Sequence, residues 1–380
     1  MRGCEGAAQV NARLRGLVDG GARKLAVSFD PPTRTGLDSA APAAWGLVGH
    51  RGVPVDSIDD MRVLLGGLPL DRIAVSLAAD TCAAPLLVLY RLVAEEHGAP
   101  AGRLAGSVGN DALTDLLLSG PGPFPPRASL RLVRDVCAYG LAELPRWRCL
   151  TVRGHRLTDA GADPAQEIAF TVAAGTEYLL TAAAAGLDPA AVAARTALCV
   201  SAARTGRDTR AKLRAVRRLW ARTVHARLGP GPAPRLHTAV PARHQAATPS
   251  ADGLEAAAAA LLDRVARLGG LPTVLEGSRG PELFGVHGTG GPVHHRPRLA
   301  RPWAASHAVR ALQTERLAKL RAWRVQPTVD KALLRLCEAA QGDDNVLHPL
   351  RDALASRATL GEVCTALRDT WAASPPVTPH

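Results

Sequence analysis

Residues 148–179, RCLTVRGHRLTDAGADPAQEIAFTVAAGTEYL, decide the fold. The opening run, RCLTVRGH, is β-prone and reads as a strand that runs out into a loop, with His155 and Arg156 side by side where the strand ends. From Ala165 to Ala185 the apolar residues recur with helical period. A strand apolar on both faces, followed by a helix, is one βα unit of a parallel sheet covered by helices.

The same unit recurs in both directions along the chain. Further β-prone runs are KLAVSFD (24–30), RIAVSLAAD (72–80), LAGSVGND (104–111), TALCVSAA (196–203), RLHTAV (235–240) and PTVLEGS (272–278). Helical periods fall between them at 83–97, 129–144, 210–228 and 251–268. Seven strand candidates alternating with helices predict a TIM-type (β/α)8 barrel rather than an open sheet. Residues 1–305 are expected to form the barrel. Residues 279–303, rich in Gly, Pro and His, read as a long loop, and residues 306–380 read as a helical appendage. There ATLGEVCTALRDTW is an amphipathic helix capped near Thr359.

Several strand runs end in a polar group: Asp30, Asp80, Asp111, His155 and Glu276. In a barrel such ends meet at one mouth, whereas singly an Asp serves as a helix cap. His287, His294 and His295 lack a carboxylate or cysteine at metal-site spacing, so no metal is expected there.

Composition narrows the class. The chain has 380 residues, 47% hydrophobic, enough for a large core. No signal peptide or membrane-length apolar run occurs, which points to the cytoplasm. Seven scattered cysteines give neither a disulfide framework nor a zinc ribbon. A net charge of +12 favours anionic partners, including a phosphorylated ligand such as coenzyme A. Aromatic residues make only 3%, too few for the stacking platforms of nucleic-acid readers, so neither nucleic acid nor membrane is expected as a partner.

FDPPTRTGLDS, GVPVDSIDDMRVLLGGLPLDRIAVS, GNDALTD, FPPRASLRLV, RGHRLTDAGADPAQEIAFTVAAGTEYL, AKLRAVRRLWA and DNVLHPLRDALASRATLGEVCTALRD occur in one order. In these blocks the chain resembles the methylmalonyl-CoA mutase family, over about residues 11–372. The resemblance implies a barrel along whose axis a coenzyme A thioester threads toward a radical site under adenosylcobalamin. It also implies an N-terminal segment supplying the first strand and a C-terminal cobalamin domain with an Asp-x-His-x-x-Gly signature. Neither is read in this chain, so the barrel is expected to be open, closed by residues 1–9, or completed by a second copy or another subunit.

Where the resemblance implies Tyr-His facing the migrating acyl group, this chain has His155 and Arg156. Gly109 and Ala239 stand where it implies glutamines, the implied carboxylate-gripping Arg falls near Ser119, and the last strand reads LPTVLEG. These replacements lead to the expectation of a repurposed enzyme, with adenosylcobalamin unlikely and no cofactor bound covalently. Its substrate would be an acyl thioester or small carboxylated metabolite, handled by acid/base chemistry such as isomerisation, dehydration or cyclisation, in bacterial specialised metabolism. His155 would be general base, and Arg156 would clamp an anion and depress the histidine's pKa. Asp80, Asp111 and His237 are further catalytic candidates, with Arg34, Ser76, Ser107, Asn110 and Glu276 contacting substrate. The alternative is a non-catalytic, partner-binding barrel.

Overall fold

The computed structural model describes residues 4–120, 122–203, 205–230, 235–239, 250–277 and 304–373. The chain divides into two compact units. One comprises Met1–Gly109, Ala142–Trp147 and Pro297–His380; the other comprises Asn110–Leu141 and Arg148–Arg296. The expected loop at 279–303 and its histidines lie outside the described residues.

The first unit is built on the strands β1 (Lys24–Ser28), β2 (Ala74–Ala78) and β3 (Ala105–Val108), with β4 (Arg146–Arg148) at the end of the sheet. β1, β2 and β3 pair in parallel with Ser76 beside both Ala26 and Ser107. Leu25, Val27, Val75, Leu77 and Val108 are buried, whereas Ala26, Ser28, Ser76 and Ala78 are exposed. The sheet thus hides its bulky face under helices and leaves the face of small residues open. Its N-terminal helices are α1 (Ala7–Asp19), α2 (Pro31–Arg34), α3 (Ile58–Leu65) and α4 (Ala83–Glu96).

Four C-terminal helices belong to this unit: α13 (Ala304–Trp323), α14 (Gln326–Gln341), α15 (Leu347–Ala355) and α16 (Leu360–Ala373). The cap expected near Thr359 is present: Thr359 Oγ1 accepts from Glu362 N–H, and Glu362 accepts from Thr359 N–H. Buried acids anchor the helices. Asp38 accepts from Arg321, Thr359 and Gly361, Asp56 from Gln313, and Asp60 pairs with Arg316. Burial raises all three carboxyls, most strongly Asp56, which also faces the charges of Asp60 and Asp38.

The second unit has β5 (Leu150–Val152), β6 (Thr196–Ser201) and β7 (Arg235–Ala239) in a parallel sheet of that order. Around it lie α5 (Ala112–Ser119), α6 (Pro126–Glu143), α7 (His155–Asp159), α8 (Pro164–Ala184), α9 (Pro189–Ala194), α10 (Gly206–Leu228), α11 (Ala251–Arg267) and α12 (Gly270–Glu276). Helix α8 starts where Asp163 accepts from the N–H groups of Ala165 and Gln166, with Pro164 in the first turn.

The parallel sheets and intervening helices are those of a TIM-type α/β fold, and they correct three local expectations. The run 148–155 is broken at Cys149 into β4 and β5. His155 does not trail from a strand but opens α7. The expected strand 272–278 is instead α12, because Gly269 and Gly270, both at positive φ, turn the chain out of α11 into another helix. Among the described residues no helix is long and apolar enough to cross a membrane.

Candidate functional site

In the second unit the end of β5 turns sharply into α7 at Gly154. A Cβ there would lie 1.8 Å from Thr171 Oγ1 on α8, so only glycine fits. The variant Gly154→Ala is expected to lose about 1–3 kcal/mol through overpacking. Urea unfolding should show a lower midpoint at unchanged slope; an unmoved midpoint would refute the tight fit.

Asp111 holds this turn. It accepts from Arg153 N–H at 2.6 Å and from Tyr178 Oη–H at 2.9 Å, and it caps α5 through Thr114 N–H. Asp111, expected at the mouth, is a buried acceptor engaged by these three donors. Asn110, also buried, donates to the Cys149 carbonyl at 3.4 Å. Arg153 reaches both oxygens of Asp115, at 3.0 and 3.1 Å, and Arg156 pairs with the same carboxylate. The anion clamp expected at Arg156 is thus occupied by Asp115.

His155 is half-buried. Burial lowers its pKa, and the charge of Arg153 lowers it further, so the depressing arginine is Arg153 rather than Arg156. A hydrogen bond with the Cys199 backbone and the charges of Asp159 and Glu167 oppose that shift. Nδ1 is buried without a hydrogen-bond partner. A neutral imidazole with an unengaged nitrogen can take or hold a proton near neutral pH.

The other end of this sheet, where its parallel strands begin, is basic. Arg148 stands just before β5 and Arg235 opens β7, with His237 two residues on and beside Cys199 in the register. Arg235 lowers the pKa of Arg148, and both arginines lower that of His237, in each case after burial. Arg148 has no acidic partner among the described residues, and its Nε is buried and unbonded. Between the basic residues the strands carry small or polar side chains at Thr151, Ala197, Cys199 and Ala239.

The candidates of the first unit pair with one another. Arg34 forms an ion pair with Asp80, a non-glycine residue at φ +52°. Ser107 Oγ donates to Ser76 Oγ at 3.0 Å on the open sheet face. Asp30 is fully buried, caps α2 through Thr33 N–H and accepts from Gly49 N–H at 2.7 Å; burial pushes its pKa to about 6. Glu276 ends α12 and pairs with Arg127 at 3.0 Å, so it is not a strand-end group.

Sequence reasoning missed Arg153, Asp115, Arg148 and a buried cluster of Thr158, Glu167, Ser201 and Lys212. Arg153 carried a local signal, as the residue between a strand and a glycine. Among the described residues no group of three or more His, Cys, Asp or Glu is arranged to hold a metal ion.

Compared with known proteins, residues 1–247 and 296–373 match the family model described as methylmalonyl-CoA mutase. The chain is similar to the methylmalonyl-CoA mutase large subunit of Streptomyces virginiae, 39% identical over 218 residues, 57% of this chain and 30% of the relative. The large subunit of Propionibacterium freudenreichii subsp. shermanii is 37% identical over 219 residues, 58% of this chain and 30% of the relative. The Escherichia coli K12 methylmalonyl-CoA mutase is 35% identical over 218 residues, 57% and 30% respectively. The chain spans about three-tenths of these relatives' length. These matches overturn the expectation that adenosylcobalamin is unlikely. The relatives are mutases of the kind for which the resemblance implies that cofactor, and they extend far beyond the matched part.

Proposed function

Because the chain belongs to the methylmalonyl-CoA mutase family, we propose that it forms the thioester-binding barrel of an isomerase acting on the coenzyme A ester of a small carboxylated acid. The observation that carries this reading is the basic end of the second sheet, where its strands begin. Arg148, Arg235 and His237 crowd together although their charges repel, and Arg148 has no acidic partner among the described residues. A ligand phosphate would relieve that repulsion.

The strand faces support the same reading. A solid TIM-barrel core carries bulky Val, Ile and Leu inward. Each sheet by itself departs from that pattern: Ala26, Ser28, Ser76 and Ala78 stay open in the first, and Thr151 and Cys199 remain half-exposed in the second.

Adenosylcobalamin, when bound, supplies the radical that starts a carbon-skeleton rearrangement. Gly109, directly after β3, presents no side chain at that strand end, and a Cβ there would be in ordinary contact with the backbone of Leu77, Ala78 and Ala79. On this reading Gly109 would be the residue beside the cofactor. The chain's own contribution lies at the acyl group, where neutral His155 orients the thioester and holds or moves a proton at Nδ1. Burial, and after it the charge of Arg153, favours the uncharged imidazole.

A second reading, a non-catalytic barrel that binds a second copy or another subunit, is favoured by one observation: Asp115 already occupies both Arg153 and Arg156. Calorimetric titration of the chain with acetyl-CoA tests the main reading. Arg148→Ala and Arg235→Ala should each weaken binding about tenfold, near 1.4 kcal/mol, more at low salt than at high. Equal affinity in wild type and both variants, or no binding at all, would leave the non-catalytic reading.

A further inference from the structure

We infer that the buried cluster of Glu167, Lys212, Ser201 and Thr158 is the positioning device for His155, fixing both elements that hold its ring. The inference rests on the reading that His155 serves the acyl group.

The geometry is that of a fully engaged carboxylate. Glu167, on α8, accepts from Ser201 N–H at 2.5 Å, Ser201 Oγ at 2.7 Å and Thr158 Oγ1 at 2.7 Å, and it pairs with the Lys212 ammonium. Lys212, on α10, also donates to Ser201 Oγ at 2.6 Å. Both ionic side chains are 0% exposed, so water contributes nothing to holding them. A charge pair taken wholly out of water is costly unless every lone pair is used, and here the neighbours are arranged to use them.

The attachment points reach His155 by two routes. Thr158 lies one helical turn after His155 on α7, so its bond to Glu167 fixes the rotation of that short helix. Ser201 lies two residues after Cys199 on β6, the strand against which α7 and its His155 pack. The groups facing the ring are Arg153 before α7, Asp159 on α7, Glu167 on α8 and Cys199 on β6, with Lys212 behind Glu167. A cluster that only added stability would need neither route to end at the imidazole.

Nuclear magnetic resonance of the His155 ring in the full chain tests this, its signal among the 12 histidines identified by its loss in His155→Gln. Glu167→Gln removes a negative charge that favours imidazolium, so the titration midpoint should move down. Thr158→Val leaves every charge in place and should shift and broaden the ring resonance, while Thr158→Ser restores it. Should Glu167→Gln fail to fold, the two Thr158 variants decide alone. An unmoved midpoint in folded Glu167→Gln, or an unchanged ring signal in Thr158→Val, overturns the inference. The functional reading fails separately: a chain whose ring responds as expected but does not bind acetyl-CoA keeps the positioning device and loses the substrate.

Discussion

Lys212→Ala is expected to remove about 3–5 kcal/mol of stability, as breaking one side of a wholly buried ion pair does. The remaining Glu167 carboxylate would sit in the core without its counter-ion, and Ser201 Oγ would lose a donor. Burial pushes the Lys212 ammonium below its ordinary pKa, while the adjacent Glu167 holds it up, so removing either partner destabilises the other's charged form. The paired replacement Glu167→Met with Lys212→Met should recover part of the loss, since apolar side chains of similar volume need no partner. Urea unfolding of the three variants measures both effects. A loss below about 1 kcal/mol for Lys212→Ala would mean that the pair is hydrated and that the cluster has no hold on α7 or β6.

The cluster also marks the limit of what the sequence discloses. Alternation of β-prone and helical runs is carried by local periodicity, and each of the six runs from Lys24 to Ala239 contains a strand. The run at Pro272 fails because propensity alone does not register two successive glycines at positive φ, which redirect the chain into α12. Site partners are less legible than strands. Glu167 meets Lys212 from 45 positions away and Arg153 meets Asp115 from 38, and no local spacing announces such pairs. One trace was available: Lys212 is among four lysines in 46 basic residues. A lysine kept inside an arginine-rich helix marks a place where a compact point charge fits and a planar guanidinium does not.

The strand-end aspartates separate by the same logic. Asp30 and Asp111 each cap a helix and also accept from a second backbone N–H, which is what a short acidic side chain does at a sharp turn. Asp80 instead meets a guanidinium, that of Arg34, and so neither residue of that pair is available to a substrate carboxylate without breaking the other's interaction.

Stability should fall as pH rises from 4 to 7 by about 2 kcal/mol on account of Asp30 alone, most of the energy of moving one carboxyl from its ordinary 3.8 to about 6. The sign follows from proton binding. Between those two values the folded chain holds the Asp30 proton more tightly than the unfolded chain, so folding is favoured below 3.8 and the advantage is lost as pH climbs through about 6. Burial is the larger cause; the N–H groups of Gly49 and Thr33 and the charge of Arg34 counter only part of it. Asp30→Asn keeps an oxygen acceptor for both N–H groups and cannot ionise, so it should flatten this component of the pH profile. Asp38, Asp56 and Asp60 slope the same way and Glu96 and Glu362 the opposite way, which is why the difference between wild type and variant, not the wild-type curve, carries the test. Chemical unfolding of both chains at pH 4.5, 6 and 7.5 measures it. Parallel profiles would show that the Asp30 carboxyl titrates as it does in water, and that the turn joining β1 to α2 is open to solvent.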